Sequence, residues 1–228
     1  MESHNEISLD LLKQKLLTMA SYAETAVNEA LQALQQRDVE LARRVKEKDR
    51  AIDQFEVEID DLVIQLLTKA PLASNLRLVT ITMKISQDLE RIGDEATKIA
   101  KRARDLAQEP PLKIVLDLPR MAALALDMLK DALDAFVNRD SAAARAVIPR
   151  DKEVDAINKQ IHEVLARRMV ENTDNISRCL HLMVVSKSLE RIADHATNVA
   201  EDVVYLCEAQ DIRHKGIKSG RTPAIPPA

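Results

Sequence analysis

Leu89-Glu-Arg-Ile-Gly-Asp-Glu-Ala-Thr-Lys-Ile-Ala100 returns one hundred residues later as Leu189-Glu-Arg-Ile-Ala-Asp-His-Ala-Thr-Asn-Val-Ala200. In the first copy the apolar residues Ile85, Leu89, Ile92, Ala96, Ile99, Ala103 and Leu106 alternate at spacings of four and three, the seam of a helix buried in a bundle. Packing alone explains a repeated apolar seam. It does not explain why Glu90, Arg91, Asp94 and Thr97 reappear as Glu190, Arg191, Asp194 and Thr197. The polar repetition points to one function performed twice.

The repeat spreads outward from this helix over nearly the whole chain. At an offset of 102, Met19, Leu31, Arg37-Asp38, Asp49, Asp53 and Ile59 match Met121, Leu133, Arg139-Asp140, Asp151, Asp155 and Ile161. At an offset of 100, Asn75, Met83 and Ser86 match Asn175, Met183 and Ser186. A period this long exceeds a solenoid unit and fits two complete small modules in tandem.

Composition fixes the class of those modules. With 3 Gly, 2% aromatics and 46% hydrophobic residues, the chain has little material for hairpins or β-packing and reads as all-α. Three helical segments are expected per half. The first runs from about Leu9 to Gln36, and Asp38 and Asp140 are N-caps of the second segments. Pro149 should break the second copy, with a restart near Arg150 or Asp151 and a counterpart break near Asp49. The loops 69–74 and 171–174 introduce the third segments. The expected layout is one three-helix bundle over 5–107, a linker over 108–117 containing Glu109-Pro-Pro-Leu112, a second bundle over 118–212, and a disordered Pro-rich tail over 213–228.

Charge and cysteine usage narrow the function. A net charge of −4 offers no basic excess for nucleic acid, so direct nucleic-acid binding is not expected. No basic, apolar leader opens the chain and no apolar run reaches membrane-spanning length, which reads as a soluble cytoplasmic protein. Cys179 and Cys207 form no CxxC pair and read as buried thiols. Met19, Met83, Met121, Met128 and Met183 read as core fillers. No P-loop, Gly-rich phosphate cradle or nucleophile constellation is present, and the chain reads as a non-enzyme.

The repeated acids carry the chemistry that remains. At about 100° per residue, Glu90 and Asp94 lie close together opposite the Ile92 seam, as Glu190 and Asp194 do around Ile192. Carboxylates at i and i+4 repel, yet Asp49 with Asp53 and Asp151 with Asp155 repeat that spacing on the second helices. A solvated face, with Arg91 paired to Glu95 and Asp94 to Lys98, would explain one such pair. Four pairs, two per half, suit a cluster of hard oxygen ligands for iron, manganese or magnesium, with zinc a further candidate. His195 lies at a poor angle to this face, His181 takes the seam register of Ile81, and Thr97 and Thr197 read as bonding their own helix backbone.

The two E-x-x-x-D strings and the duplicated three-helix layout resemble the PhoU family of accessory and regulatory proteins of bacterial phosphate-specific transport. The resemblance spans roughly residues 5 to 215 and includes Asp211-Ile-Arg-His214 near the end. It implies two three-helix bundles, a homodimer, and metal ions on Asp49, Asp53, Glu90 and Asp94 in the first half and on Asp151, Asp155, Glu190 and Asp194 in the second. It also implies an adaptor between the phosphate ABC transporter ATPase and a sensor histidine kinase, reaching the membrane only through partners and repressing the phosphate-starvation regulon. Three positions depart between the halves: Gly93, Glu95 and Asp60 become Ala193, His195 and His162.

Two other classes compete. A ferritin-like carboxylate-bridged metal enzyme would need Glu-x-x-His on two helices, and none of the 5 His residues has a Glu three positions earlier. A purely structural helical scaffold would leave the acid pairs without a role.

Overall fold

The computed structural model describes residues 4–68 and 73–213. Among these, seven α-helices are α1 (His4–Gln36), α2 (Val39–Leu67), α3 (Ala73–Ala107), α4 (Leu118–Asn138), α5 (Ser141–Val147), α6 (Asp151–Glu171) and α7 (Ile176–Glu208), with single 3-10 turns at Ile148–Arg150 and Thr173–Asn175. No strand occurs among the described residues. The fold is a tandem of two three-helix bundles: α1, α2 and α3 make the first, and α4, the α5–α6 pair and α7 the second. The expected tail lies outside the described residues from 214 onward.

The repeated Arg-Asp dipeptide is the turn between the first and second helices of each half. Arg37 and Arg139 adopt left-handed φ of 57° and 51°, ending one helix, and the following aspartate caps the next. The Asp38 carboxylate accepts from the Leu41 N–H at 2.9 Å, and Asp140 from the Ala142 and Ala143 N–H groups at 2.9 and 3.0 Å. Arg37 does more than turn the chain. Its guanidinium donates to the carbonyls of Leu106 and Ala107 at 2.9 and 3.1 Å and to that of Glu109, which ties this turn to the end of α3.

Of the two expected breaks, one is present. The second copy ends α5 at Val147, passes Pro149 in a 3-10 turn and restarts at Asp151. The first copy has none: α2 runs unbroken through Asp49. The position equivalent to Pro149 is Glu47, which keeps its backbone N–H and clashes with nothing, so the helix has no cause to break there.

The seam residues Ile85, Leu89, Ile92, Ala96 and Ile99 are all fully buried. The expectation that α3 turns its opposite face to solvent needs correction, because α3 is covered by α1, α2 and α7 together. A helical wheel reports one core direction, whereas here α3 and α7 also pack on each other. A continuous apolar core therefore runs from the first bundle into the second. The segment 108–117 is non-helical and strapped down by Leu112, Ile114 and Leu116, whose exposed neighbours include Lys113 and Val115.

Candidate metal centre

The helix register brings the expected acids together across helices rather than along them. In the first half Asp49 of α2 feels the charges of Asp53 and, across the interface, Asp94 of α3; Glu90 feels Asp94 and also Glu56 and Asp53. In the second half Asp151 feels Asp194, Asp155 and Glu190. All eight expected residues thus take part in one carboxylate group per half. Among the described residues, no three His, Cys, Asp or Glu side chains converge into a ready coordination sphere.

Their environment is costly for charge. Burial first, and then the repulsion of Asp53 and Asp94, raises the Asp49 carboxyl above its ordinary value, although the Thr97 hydroxyl approaches from the other direction without reaching good hydrogen-bond geometry. Glu90 is raised by burial and Asp94, with Arg91 opposing. Burial and then Asp194, Asp155 and Glu190 push Asp151 up to about 6. Asp194 is raised by burial and Glu190, with Lys187 opposing. Partial burial of like charges without equal counter-charge is what a bound cation relieves.

Two acids extend the first group beyond the expected set. Glu56 and Asp60 continue the α2 stripe of Asp49 and Asp53, and Glu56 is raised by burial, then by Asp60 and Asp53. Asp60 has a buried Oδ1 with no hydrogen-bond partner, as Asp151 does in the other half. An orphaned buried carboxylate oxygen fits a hard cation, and the first group is wholly oxygen-donating. The second half has Asn158 and His162 at the matching positions. Asn158 Oδ1 accepts from the Ser186 hydroxyl at 2.6 Å, and His162 has a buried Nε2 with no hydrogen-bond partner.

The surface pairing considered above is also redistributed. Arg91 turns to Glu90 and Asp94 at 3.4 and 3.8 Å, while Lys98 pairs with Glu95 at 2.8 Å. Lys187 forms an ion pair with Glu190.

Gly93 and Ala193 are explained by what α2 and α6 place against them. A Cβ on Gly93 would stand 2.8 Å from Ile52 Cδ1 and 3.1 Å from Asp49 Oδ1, so the bare backbone lets α2 approach the motif. The second half pairs Ala193 with Val154, which moves one carbon from α6 to α7 and leaves the sum unchanged. Gly93→Ala should therefore show little of the roughly 1 kcal/mol that alanine gains in a helix. Adding Ile52→Val should release it. A double-mutant cycle by urea denaturation should give a coupling of at least about 0.5 kcal/mol; additive effects would show that the two positions do not compete for space.

Sequence reading missed a second polar network, between the halves. Glu95 is 4% exposed on α3 and meets Lys98 at 2.8 Å and Arg191 of α7 at 3.2 Å. Burial pushes its carboxyl up, but Lys98, Ser188 and Arg191 outweigh that and hold it below its usual value. On the pseudo-equivalent side His195 Nδ1 lies 2.8 Å from Asp88, which also accepts from Asn198 at 3.2 Å. Thus Glu95 and His195 differ because one faces Arg191 and the other Asp88. His181 is partly buried, with Nδ1 3.4 Å from Arg102. Cys179 is buried and Cys207 half-buried, both free.

A sequence model of the PhoU domain matches this chain twice, over 16–103 and 118–203. The chain belongs to the PhoU family. It is 40% identical over 212 residues to a phosphate-specific transport system accessory protein PhoU homolog of Pseudomonas putida, covering 92% of this chain and 83% of the relative. The homolog from Aquifex aeolicus is 39% identical, covering 92% and 96%. Among solved structures, PhoU from Pseudomonas aeruginosa superposes with a TM-score of 0.86 at 38% identity, covering 90% of this chain and 99% of that one. The phosphate transport system regulatory protein PhoU from Streptococcus pneumoniae gives 0.84 at 28% identity, covering 92% and 99%. Both PhoU matches contain an E-x-x-x-D string, Glu90 to Asp94 and Glu190 to Asp194.

Proposed function

We propose that this chain is an accessory regulator of phosphate uptake. It acts as an adaptor that binds the phosphate ABC transporter ATPase and a sensor histidine kinase and represses the phosphate-starvation regulon when phosphate is plentiful. The observation that carries this reading is family membership over nearly the whole chain, with relatives named as phosphate-specific transport system accessory proteins. Two packed bundles present two similar surfaces, which suits a bridge between partners. No described helix is long and apolar enough to cross a membrane, and an adaptor in the cytoplasm would reach the membrane through its partners. A homodimer and the absence of direct nucleic-acid binding are part of the same proposal, as is the non-enzymatic role.

In this reading Asp49, Asp53, Glu90 and Asp94, and Asp151, Asp155, Glu190 and Asp194, hold metal ions. A bound cation would neutralise the half-buried carboxylates and clamp the second helix of each half to the third. The scaffold alternative gives these acids no role, and their raised titration from burial and mutual repulsion weighs against it. The ferritin-like alternative needs ligands inside a bundle core, whereas these line the edge between two helices.

Deleting the gene should switch on phosphate-starvation genes such as alkaline phosphatase in high-phosphate medium. A phosphatase reporter that stays silent in that deletion would overturn the adaptor reading.

A further inference from the structure

A cleft of about 640 Å³ opens where the first acid group meets the joint between the halves. It lies within the size range of ligand sites, but every residue that lines it is polar or charged, which suits a small, highly charged ligand rather than an apolar one. The charges are segregated. Glu56 and Glu90, from the metal-binding group, form one wall, and Lys84 and Arg213 lie on the α3–α7 side. Between them stand Arg91 and the His195–Asp88 pair.

Lys84 and Arg213 are held toward the cleft by Asp202, a side chain only 4% exposed, at 3.4 and 3.6 Å. A buried carboxylate that positions two cations at the floor of a polar cleft is a device for presenting N–H donors. The lining carries four carboxylates, Glu56, Asp88, Glu90 and Asp202, against three permanent cations. A lone anion would meet that acidic excess and a lone cation would leave the basic wall unused. A divalent cation entering with a phosphate dianion is a neutral pair that satisfies both walls.

We propose that this cleft binds a phosphoryl group together with a divalent cation, the cation on Glu56 and Glu90 and the phosphoryl oxygens on Lys84, Arg91 and Arg213. The inference rests on the metal reading above and adds to it a ligand that would report phosphate availability directly to the joint between the two bundles. Inorganic phosphate and the terminal phosphate of a nucleotide share this chemistry.

The test is calorimetry on the full chain stripped by a chelator. Magnesium or manganese is titrated alone, and then inorganic phosphate, ATP or sulfate is titrated into the metal-loaded protein. Phosphate should bind the loaded protein and not the stripped one. Lys84→Met should weaken that binding by about tenfold, the loss of one charge-assisted hydrogen bond, with metal affinity unchanged. Should Lys84→Met not fold because Asp202 loses a partner, Arg213→Gln carries the same readout. ATP binding without phosphate binding would name a nucleotide as the source and keep the site. No phosphate or ATP binding to metal-loaded protein, equal binding of sulfate, equal binding by the variants, or binding by the stripped protein would each overturn the proposal. If the metal alone gives no heat and no shift in melting temperature, the metal reading itself has failed.

Discussion

Stripping divalent cations should lower the melting temperature of this protein, and restoring manganese or magnesium at about a hundred times its Kd should raise it by roughly 5 to 10 °C. That range follows from the roughly 2.7 kcal/mol which a ligand at a hundredfold excess adds to a native state, spread over a chain of this size. The sign in the variants discriminates. Replacing Glu90 and Asp94 together with Ala removes two half-buried like charges, so the stripped variant should be at least as stable as the stripped parent. It should gain less when cations return, because only the second half can respond. A variant with all eight acids replaced should not respond at all. Equal cation shifts in that variant and the parent would show that the ions bind elsewhere and that the pairs are surface charge.

The sequence carried most of this arrangement because a duplication writes the same information twice. One Glu-x-x-x-Asp is indistinguishable from an ordinary solvated face, whereas Glu90 with Asp94 and Glu190 with Asp194 at one offset exclude coincidence. The same logic exposed Arg37-Asp38 and Arg139-Asp140 as a shared turn and Asp38 as a cap, since each cap is a local interaction within four residues. It misled where the copies differ. Pro149 marked a real break, but projecting it onto Asp49 assumed that the halves share a backbone, when Glu47 removes the steric cause.

Contacts between the halves were invisible for a different reason. Glu95 and His195 occupy equivalent positions, and what each does depends on the partner that α3 and α7 present when they cross, Arg191 for one and Asp88 for the other. No periodicity within a single helix encodes that crossing. The extension of the first acid group to Glu56 and Asp60 was legible in principle, because 49, 53, 56 and 60 follow one helical stripe. It was obscured because Asn158 and His162 interrupt the matching stripe in the second half.

Asp151→Asn should stabilise the metal-free protein at neutral pH and cost it the metal response of the second half. Asp151 stands in the first turn of α6, and burial followed by the repulsion of Asp194, Asp155 and Glu190 lifts its carboxyl to about 6 from an ordinary 3.8. The folded chain therefore holds a proton that the unfolded chain releases, so stability falls as pH climbs from about 4 to 6 and the penalty is complete above that. A shift of this size corresponds to roughly 3 kcal/mol in the limit of no screening. Solvent at this half-exposed site and the favourable field of the helix N-terminus reduce it to about 1 kcal/mol, or roughly 2 to 4 °C in melting temperature. The gain should be present at pH 7.5 and largely absent at pH 4, where the parent carboxyl is already protonated when folded. With saturating manganese or magnesium the order should reverse, because the charge that destabilises the empty group is the one a cation uses. An Asp151→Asn variant that melts below the parent at pH 7.5 without metal would show that this carboxylate is already compensated in the fold, and would remove the electrostatic argument for a cation in the second half.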